Sequence, residues 1–281
     1  MPSVANLYYF FHEGKGFSEG KGFSEGEGFS EGEGFPEGEG LSKGEDTSVP
    51  LILIHGAGGS HLHYPPELRR LNGFQVAALD LPGHGKSEGV GKQNINDYVE
   101  NILAFLDALN LPAAVIIGHS MGSAIALQLA LNAPNRVLGL VLLGSGSRLR
   151  VAPSILENTA TEATFPLAVK SIIEASFSSK ASPHLKELAS KKMQETRPTV
   201  LHGDFIACNN FNVDENLGEI KSPTLIICGT EDKMTPPKYS KSLHEEIPNS
   251  ALELIEDAGH MVMLEKPRQV AEVIERFVEK L

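Results

Sequence analysis

The chain has 281 residues, 41% of them hydrophobic, which is enough for one large α/β domain or two smaller ones around a substantial core. Its formal net charge of −12 argues against a nucleic-acid footprint, and no apolar run approaches the roughly 20 residues that span a bilayer. Residues 13 to 46 hold nine Glu, one Asp and three Lys, a net of −7, so the remaining body carries only −5.

In chain order, residues 5–12 read as a strand and residues 49–55 as a second, buried one. Between them, from Gly16 to Glu45, a six-residue unit recurs: GFSEGK, GFSEGE, GFSEGE, GFPEGE, GLSKGE. One Phe or Leu per six residues with two glycines is a poor recipe for a core, so residues 16–45 are expected to form an acidic loop that enlarges an N-terminal hairpin. The pattern lacks the Asp-rich spacing of a hard-cation loop, and no metal is assigned to it.

Next come a helix over 65–71, a strand over 74–79 ending at Asp80, and a helix over 96–109 with Tyr98, Ile102, Phe105, Leu106 and Leu109 at helical spacing. The apolar run 113–117 then meets a helical run, 123–130, across Gly118-His119-Ser120-Met121-Gly122. Further strands are expected at 137–143, 224–228 and 251–255, with helices after Pro236 and from Pro267. This alternation implies an α/β fold, a mostly parallel sheet covered by helices. The stretch 145–215 breaks the rhythm: it holds helical segments such as 185–193 but no buried strand. The expected organisation is therefore a core of residues 1–144 and 216–281 with a helical cap, 145–215, over the carboxyl edge of the sheet.

The pattern G-x-S-x-G occurs five times, starting at Gly16, Gly22, Gly28, Gly40 and Gly118. Only the last follows a strand and opens a helix, the context in which a sharp turn presents a serine hydroxyl above a sheet, so Ser120 is the candidate nucleophile. A serine hydroxyl needs an imidazole to take its proton and a carboxylate to orient that imidazole. His260, in a loop directly after the last strand, is the candidate base. His55 and His119 read as structural, His84 as a turn residue, and His61 with His63 as loop packing, since no third metal ligand stands at suitable spacing. Asp232, after the strand ending near Gly229, is the candidate acid; Glu231 points elsewhere, Asp257 braces the His260 loop, and the loop 144–146 contains no acid. The glycine loop His55-Gly56-Ala57-Gly58-Gly59 offers backbone donors, and the Ala57 and Met121 amides are expected to hold an oxyanion. A phosphate-cradling use of that loop lacks the required Lys and spacing.

The order Ser120, Asp232, His260, with the His-Gly loop upstream and Asp80-Leu81-Pro82-Gly83-His84-Gly85-Lys86-Ser87 between, resembles the α/β-hydrolase superfamily from residue 49 to the C-terminus, the cap excepted. The resemblance implies an eight-stranded, mostly parallel sheet, a helical cap, and acyl-enzyme chemistry without a cofactor. The function expected is hydrolysis of carboxylic esters of small or medium substrates, with no nucleic-acid or membrane partner. Alternatives are a carbon-carbon bond hydrolase of the dienoate type, which would need Arg148, Arg150 or Asn210 placed to hold a carboxylate, a thioesterase or haloperoxidase, or a ligand receptor that retains the triad. Dehalogenases and epoxide hydrolases carry Asp where Ser120 stands. Two cysteines far apart in sequence, Cys208 and Cys228, and an N-terminus without a basic region or small-residue cleavage site point to the cytoplasm.

Overall fold

A computed structural model describes residues 3–14 and 49–281. The hexapeptide repeat, and the reading of it as an acidic loop, lie outside the described residues.

The strands are β1 (Ser3–Val4), β2 (Leu7–His12), β3 (Leu51–Ile54), β4 (Val76–Leu79), β5 (Ala114–His119), β6 (Val137–Leu143), β7 (Thr224–Gly229) and β8 (Ser250–Ile255). Among the described residues they form one eight-stranded sheet in the order β1-β2-β4-β3-β5-β6-β7-β8. From β4 to β8 every pairing is parallel, and β1 and β2 add antiparallel at one edge. Strands covered on both faces need apolar residues at every position rather than at alternate ones, and β3, β4, β5 and β7 are buried throughout.

The helices are α1 (Pro66–Arg69), α2 (Ile95–Ala108), α3 (Met121–Asn132), α4 (Pro153–Thr159), α5 (Phe165–Ser176), α6 (Pro183–Gln194), α7 (Pro198–Asn210), α8 (Pro237–Glu246), α9 (Val262–Glu265) and α10 (Pro267–Val278). A proline opens most of them, at the position where a missing N–H costs no helical bond. One face of the sheet, carrying Ile52, Ile54 and Ile116, packs with α2, α3 and α8; the other, carrying Leu51, Leu53, Val115 and Ile117, packs with α1, α5 and α10. Helices α4 to α7 occupy the stretch between β6 and β7, where helical segments were expected.

Two N-terminal expectations are corrected. Residues 5–12 are not one strand: Ala5 and Asn6, at φ 51 and 63, form the turn of a small hairpin between β1 and β2. The strand at 7–12 also forms no hairpin with 51–54, because β4 lies between them and pairs with both. The reason is that β3 is parallel-paired on both edges, to β4 and β5, which leaves no free edge for β2. Boundaries shift elsewhere. The helix expected over 65–71 is the single turn α1, since Arg70 leaves the helical region at φ −130 and ψ 43. Helix α3 begins at Met121 rather than 123, immediately after the turn residue.

Candidate active site

Ser120 sits between β5 and α3 at φ 53 and ψ −115. A positive φ is strained for a residue with a Cβ and persists only where the surroundings dictate it. Here they do. A Cβ on Gly118 would lie 2.2 Å from Gly122 O, and one on Gly122 would lie 2.1 Å from Ile54 O, so both glycines let the turn close against the sheet. Ser120 N–H donates to Leu143 O at 2.9 Å, and Ser123 Oγ donates to Gly118 O at 2.7 Å and Leu143 O at 3.1 Å.

Asp232, in the loop after β7, is buried, and its neighbours bind both of its oxygens. Oδ1 accepts from Met234 N at 2.9 Å and Thr235 N at 2.8 Å; Oδ2 accepts from Thr235 Oγ1 at 2.8 Å and His260 Nδ1 at 2.9 Å. Burial alone would raise its pKa, but the facing His260 and the Thr235 donors hold it below the usual carboxylate value. With Nδ1–H donated to the carboxylate, Nε2 is the ring nitrogen left to take a proton.

His260 is held in turn through its own loop. Glu265 accepts from Gly259 N at 2.8 Å and Ser178 N at 3.1 Å, and Met261 N donates to Ser176 O at 3.0 Å. His119 Nε2 donates to the His260 carbonyl at 3.0 Å, with the two rings 4.8 Å apart. Burial first, then the neighbouring His260 and His63, hold the His119 pKa well below the usual imidazole value, so its ring is a neutral donor. Adjacent residues link the serine and the imidazole: Leu143 O accepts from Ser120 N–H, and a Cβ on Gly144 would lie 2.9 Å from His260 Nδ1. The structure thus brings Ser120, His260 and Asp232 to one edge of the sheet. Glu231 and Asp257 lie off this cluster: the first accepts from Ser179 N and Oγ, the second pairs with Lys180 at 2.6 Å.

The turn after β3 completes the edge. Gly59 N–H closes it onto Gly56 O at 3.1 Å, and Gly58 N–H donates to Asp204 Oδ2 at 2.8 Å. Of the three amides Ala57, Gly58 and Gly59, the last two are therefore committed inside the protein. The Gly56 carbonyl also accepts from His55 Nδ1 at 2.7 Å, while His55 Nε2 accepts from Leu81 N at 3.0 Å. Because a peptide unit is planar and trans, holding the Gly56 carbonyl aims the Ala57 N–H the opposite way. Gly56 lies beside the nucleophile turn, where a Cβ would meet Ser120 Cβ at 3.1 Å. Met121, first residue of α3, carries a first-turn N–H with no intrahelical acceptor.

The other histidines near this edge, His61, His63 and His84, are engaged in packing. His61 donates through its backbone N and approaches through Nδ1 the same oxygen of Asp80, at 2.6 and 2.9 Å. Burial, then nearby His84, lowers the His63 pKa to about 4. His84 lies against Asp204 at 2.8 Å and Pro82 O at 3.1 Å. Sequence reasoning missed Glu265, Thr235 and Asp204, none of which stands in a recognisable local pattern. A cavity of about 580 Å³ adjoins the turn, walled by Gly58, Gly59, His63, His84, Lys192 and Arg197 among others rather than by Ser120 and His260.

A strained serine at a strand-to-helix turn, an imidazole backed by a buried carboxylate, and a glycine turn of backbone donors, all on an α/β sheet, are the parts of a hydrolase. The chain belongs to the alpha/beta hydrolase family, which it matches over residues 51–273. It is 30% identical over 246 residues to the uncharacterized hydrolase YugF of Bacillus subtilis (strain 168), covering 82% of this chain and 89% of that one. It is 28% identical over 253 residues to a pimeloyl-[acyl-carrier protein] methyl ester esterase of Neisseria meningitidis, covering 83% and 94%. A solved thermophilic esterase superposes with a TM-score of 0.74 at 36% identity, covering 83% of this chain and 91% of that one. Among the described residues no helix is long and apolar enough to cross a membrane.

Proposed function

We propose that the protein hydrolyses carboxylic esters of small or medium substrates through an acyl-enzyme on Ser120, with His260 as base and Asp232 as its orienting acid. Ser120 Oγ attacks the ester carbonyl as its proton passes to His260 Nε2. The tetrahedral oxyanion lies between the amides of Ala57 and Met121, where preorganised donors are each worth about 3 kcal/mol of barrier. Collapse breaks the bond to the alkoxy oxygen, which leaves as the alcohol with the proton from His260. Water then attacks the acyl group, His260 again taking the proton, and the carboxylic acid leaves as Ser120 is regenerated. The cap role of residues 145–215 belongs to this proposal: Asp204, Thr196 and Leu201 reach the oxyanion turn from that stretch. So does a cytoplasmic setting, supported by two buried free cysteines.

The observation that carries the reading is the strained Ser120 on the edge that also holds the buried His260–Asp232 pair. The esterase names of a relative and of a solved neighbour support the ester class. Of the groups the carbon-carbon alternative would need, Arg148 is bonded to Asp214 and Asn212 and lines with exposed Arg150 a surface pocket walled by Tyr239 and Glu246, and Asn210 is exposed at the end of α7, which favours the ester reading. The test is a panel of p-nitrophenyl esters, a thioester and a dienoate dione, run on wild type and Ser120→Ala. Ester turnover lost in the variant supports the reading, and turnover that survives it refutes the nucleophile.

A further inference from the structure

Gly58 stands at φ 63 in the middle of the oxyanion turn, and residues 193–204 grip it from several directions. Its N–H donates to Asp204 Oδ2 at 2.8 Å, and its carbonyl accepts from Thr196 Oγ1 at 3.0 Å. A Cβ on Gly58 would lie 2.6 Å from Leu201 Cδ1. Asp204, on α7, is fully buried, and a carboxylate so far from water is tolerated only when bonded and compensated. Its Oδ2 also accepts from His84 Nε2 at 2.8 Å and its Oδ1 from Tyr98 Oη at 2.5 Å. The same segment holds the neighbouring loop, since Arg197 Nη2 donates to Gly89 O at 2.5 Å. None of these groups has a part in the chemistry of Ser120, His260 and Asp232.

The peptide planes around Ala57 show what the grip does. The 56–57 unit is held through its carbonyl by His55 and Gly59, the 57–58 unit through its N–H by Asp204, and the 58–59 unit through its carbonyl by Thr196. The planes on both sides of Ala57 are held, so its two backbone dihedrals are restrained, and the Thr196 bond restrains those of Gly58 next to it. We propose that Asp204 and Thr196 are positioning residues for the hydrolysis: from the helices inserted between β6 and β7 they lock the turn that aims the Ala57 amide at the oxyanion. This rests on the ester-hydrolase reading of Ser120. An oxyanion donor is effective only if its direction is set before the charge develops. The inserted helices therefore set the aim of the core's own donor.

The test compares wild type with Asp204→Ala, Asp204→Asn and Thr196→Val on p-nitrophenyl butyrate, each scaled to its folded fraction by circular dichroism. Asp204→Ala is expected to lower kcat by about 10- to 100-fold with KM within about twofold, the size of loss that a misplaced donor produces. Its affinity for a trifluoromethyl ketone, which forms a tetrahedral adduct on serine, falls by a similar factor. Asp204→Asn recovers most of the loss, because the amide oxygen still accepts from Gly58, and Thr196→Val lies between. Ile102→Val, a trim of the core on α2, supplies the structural control and lowers Tm while kcat holds. Should Asp204→Ala not fold, Thr196→Val carries the test, since Thr196 is half-buried and loses one bond. Wild-type kcat in Thr196→Val and in whichever Asp204 variants fold, or losses confined to Tm and KM, would overturn the proposal. Absence of ester turnover in the wild type itself sinks the Ser120 reading instead. The grip is then judged by amide hydrogen exchange of residues 55–60, which must quicken in the Asp204 and Thr196 variants but not in Ile102→Val; unchanged exchange refutes it.

Discussion

Asp232→Asn replaces one carboxylate oxygen by an NH₂ group at a position where the surrounding donors dictate which way the amide faces. Two backbone N–H groups, of Met234 and Thr235, point at Oδ1, so the amide oxygen must remain there and the NH₂ must take the place of Oδ2. That NH₂ then donates to His260 Nδ1, 2.9 Å from the atom it replaces. A donor facing Nδ1 forces the ring proton onto Nε2, and Nε2 can no longer accept the proton of Ser120. The fold is expected to persist, because Thr235 Oγ1, 2.8 Å away, can rotate to accept. Loss of the correct tautomer costs about 10⁴-fold in kcat, or about 5.5 kcal/mol of barrier at 1.36 kcal/mol per decade. The assay is initial-rate hydrolysis of p-nitrophenyl butyrate, with Tm by differential scanning fluorimetry to show an intact fold. A folded Asp232→Asn protein that keeps a tenth or more of wild-type kcat would refute the tautomer argument and Asp232 with it.

Gly144→Ala should impair both folding and turnover. Gly144 stands at φ 54, which costs an L-residue about 1–2 kcal/mol, and the new methyl would press on His260 Nδ1 at 2.9 Å; a variant with wild-type Tm and kcat would show that this contact is slack. His84 gives a pH signature. Burial pulls its pKa down, but the Asp204 charge and hydrogen bond, the Pro82 carbonyl and the Asp80 charge together raise it above 6.5, with buried His55, itself held well below the usual value, on its other side. A raised folded pKa contributes stability that is complete below the unfolded pKa and lost as pH rises through the folded one, so His84→Gln should lower Tm more at pH 6 than at pH 9. An equal or reversed difference would contradict the charged pair. Glu265→Gln should lower kcat rather than abolish it, because of the two backbone donors on the carboxylate, Gly259 N–H and Ser178 N–H, one keeps an amide oxygen and the other then faces the NH₂ group; wild-type kcat at wild-type Tm would show that Glu265 does not steady the His260 loop.

The parallel strands were legible because burial on both faces leaves continuous apolar runs, as in Leu51–Ile54 and Thr224–Gly229. The candidate Ser120 was legible for a different reason: a strand before it and a helix after it separate it from four identical patterns in the repeat. The partners of β2 were not legible, since pairing of a short edge strand depends on which edge is free, a property of the whole sheet. The hairpin of β1 and β2 hid in two residues, Ala5 and Asn6, that carry no glycine to mark the turn. Asp204 was invisible because its partners, Gly58 and His84, lie 146 and 120 residues away, and nothing local distinguishes it from any other helical aspartate. Candidate groups in loops after strands were therefore readable, and contacts supplied across the fold by the inserted helices were not.

The central claim is that Ser120 Oγ forms a covalent bond during turnover. The direct measurement is to react the protein with a fluorophosphonate ester and to locate the adduct by peptide mass spectrometry. The account predicts one modification per chain, on the peptide containing Ser120, with hydrolysis lost in step with labelling and no adduct on Ser120→Ala. An adduct on any other residue, or full ester turnover by a completely labelled protein, would contradict it.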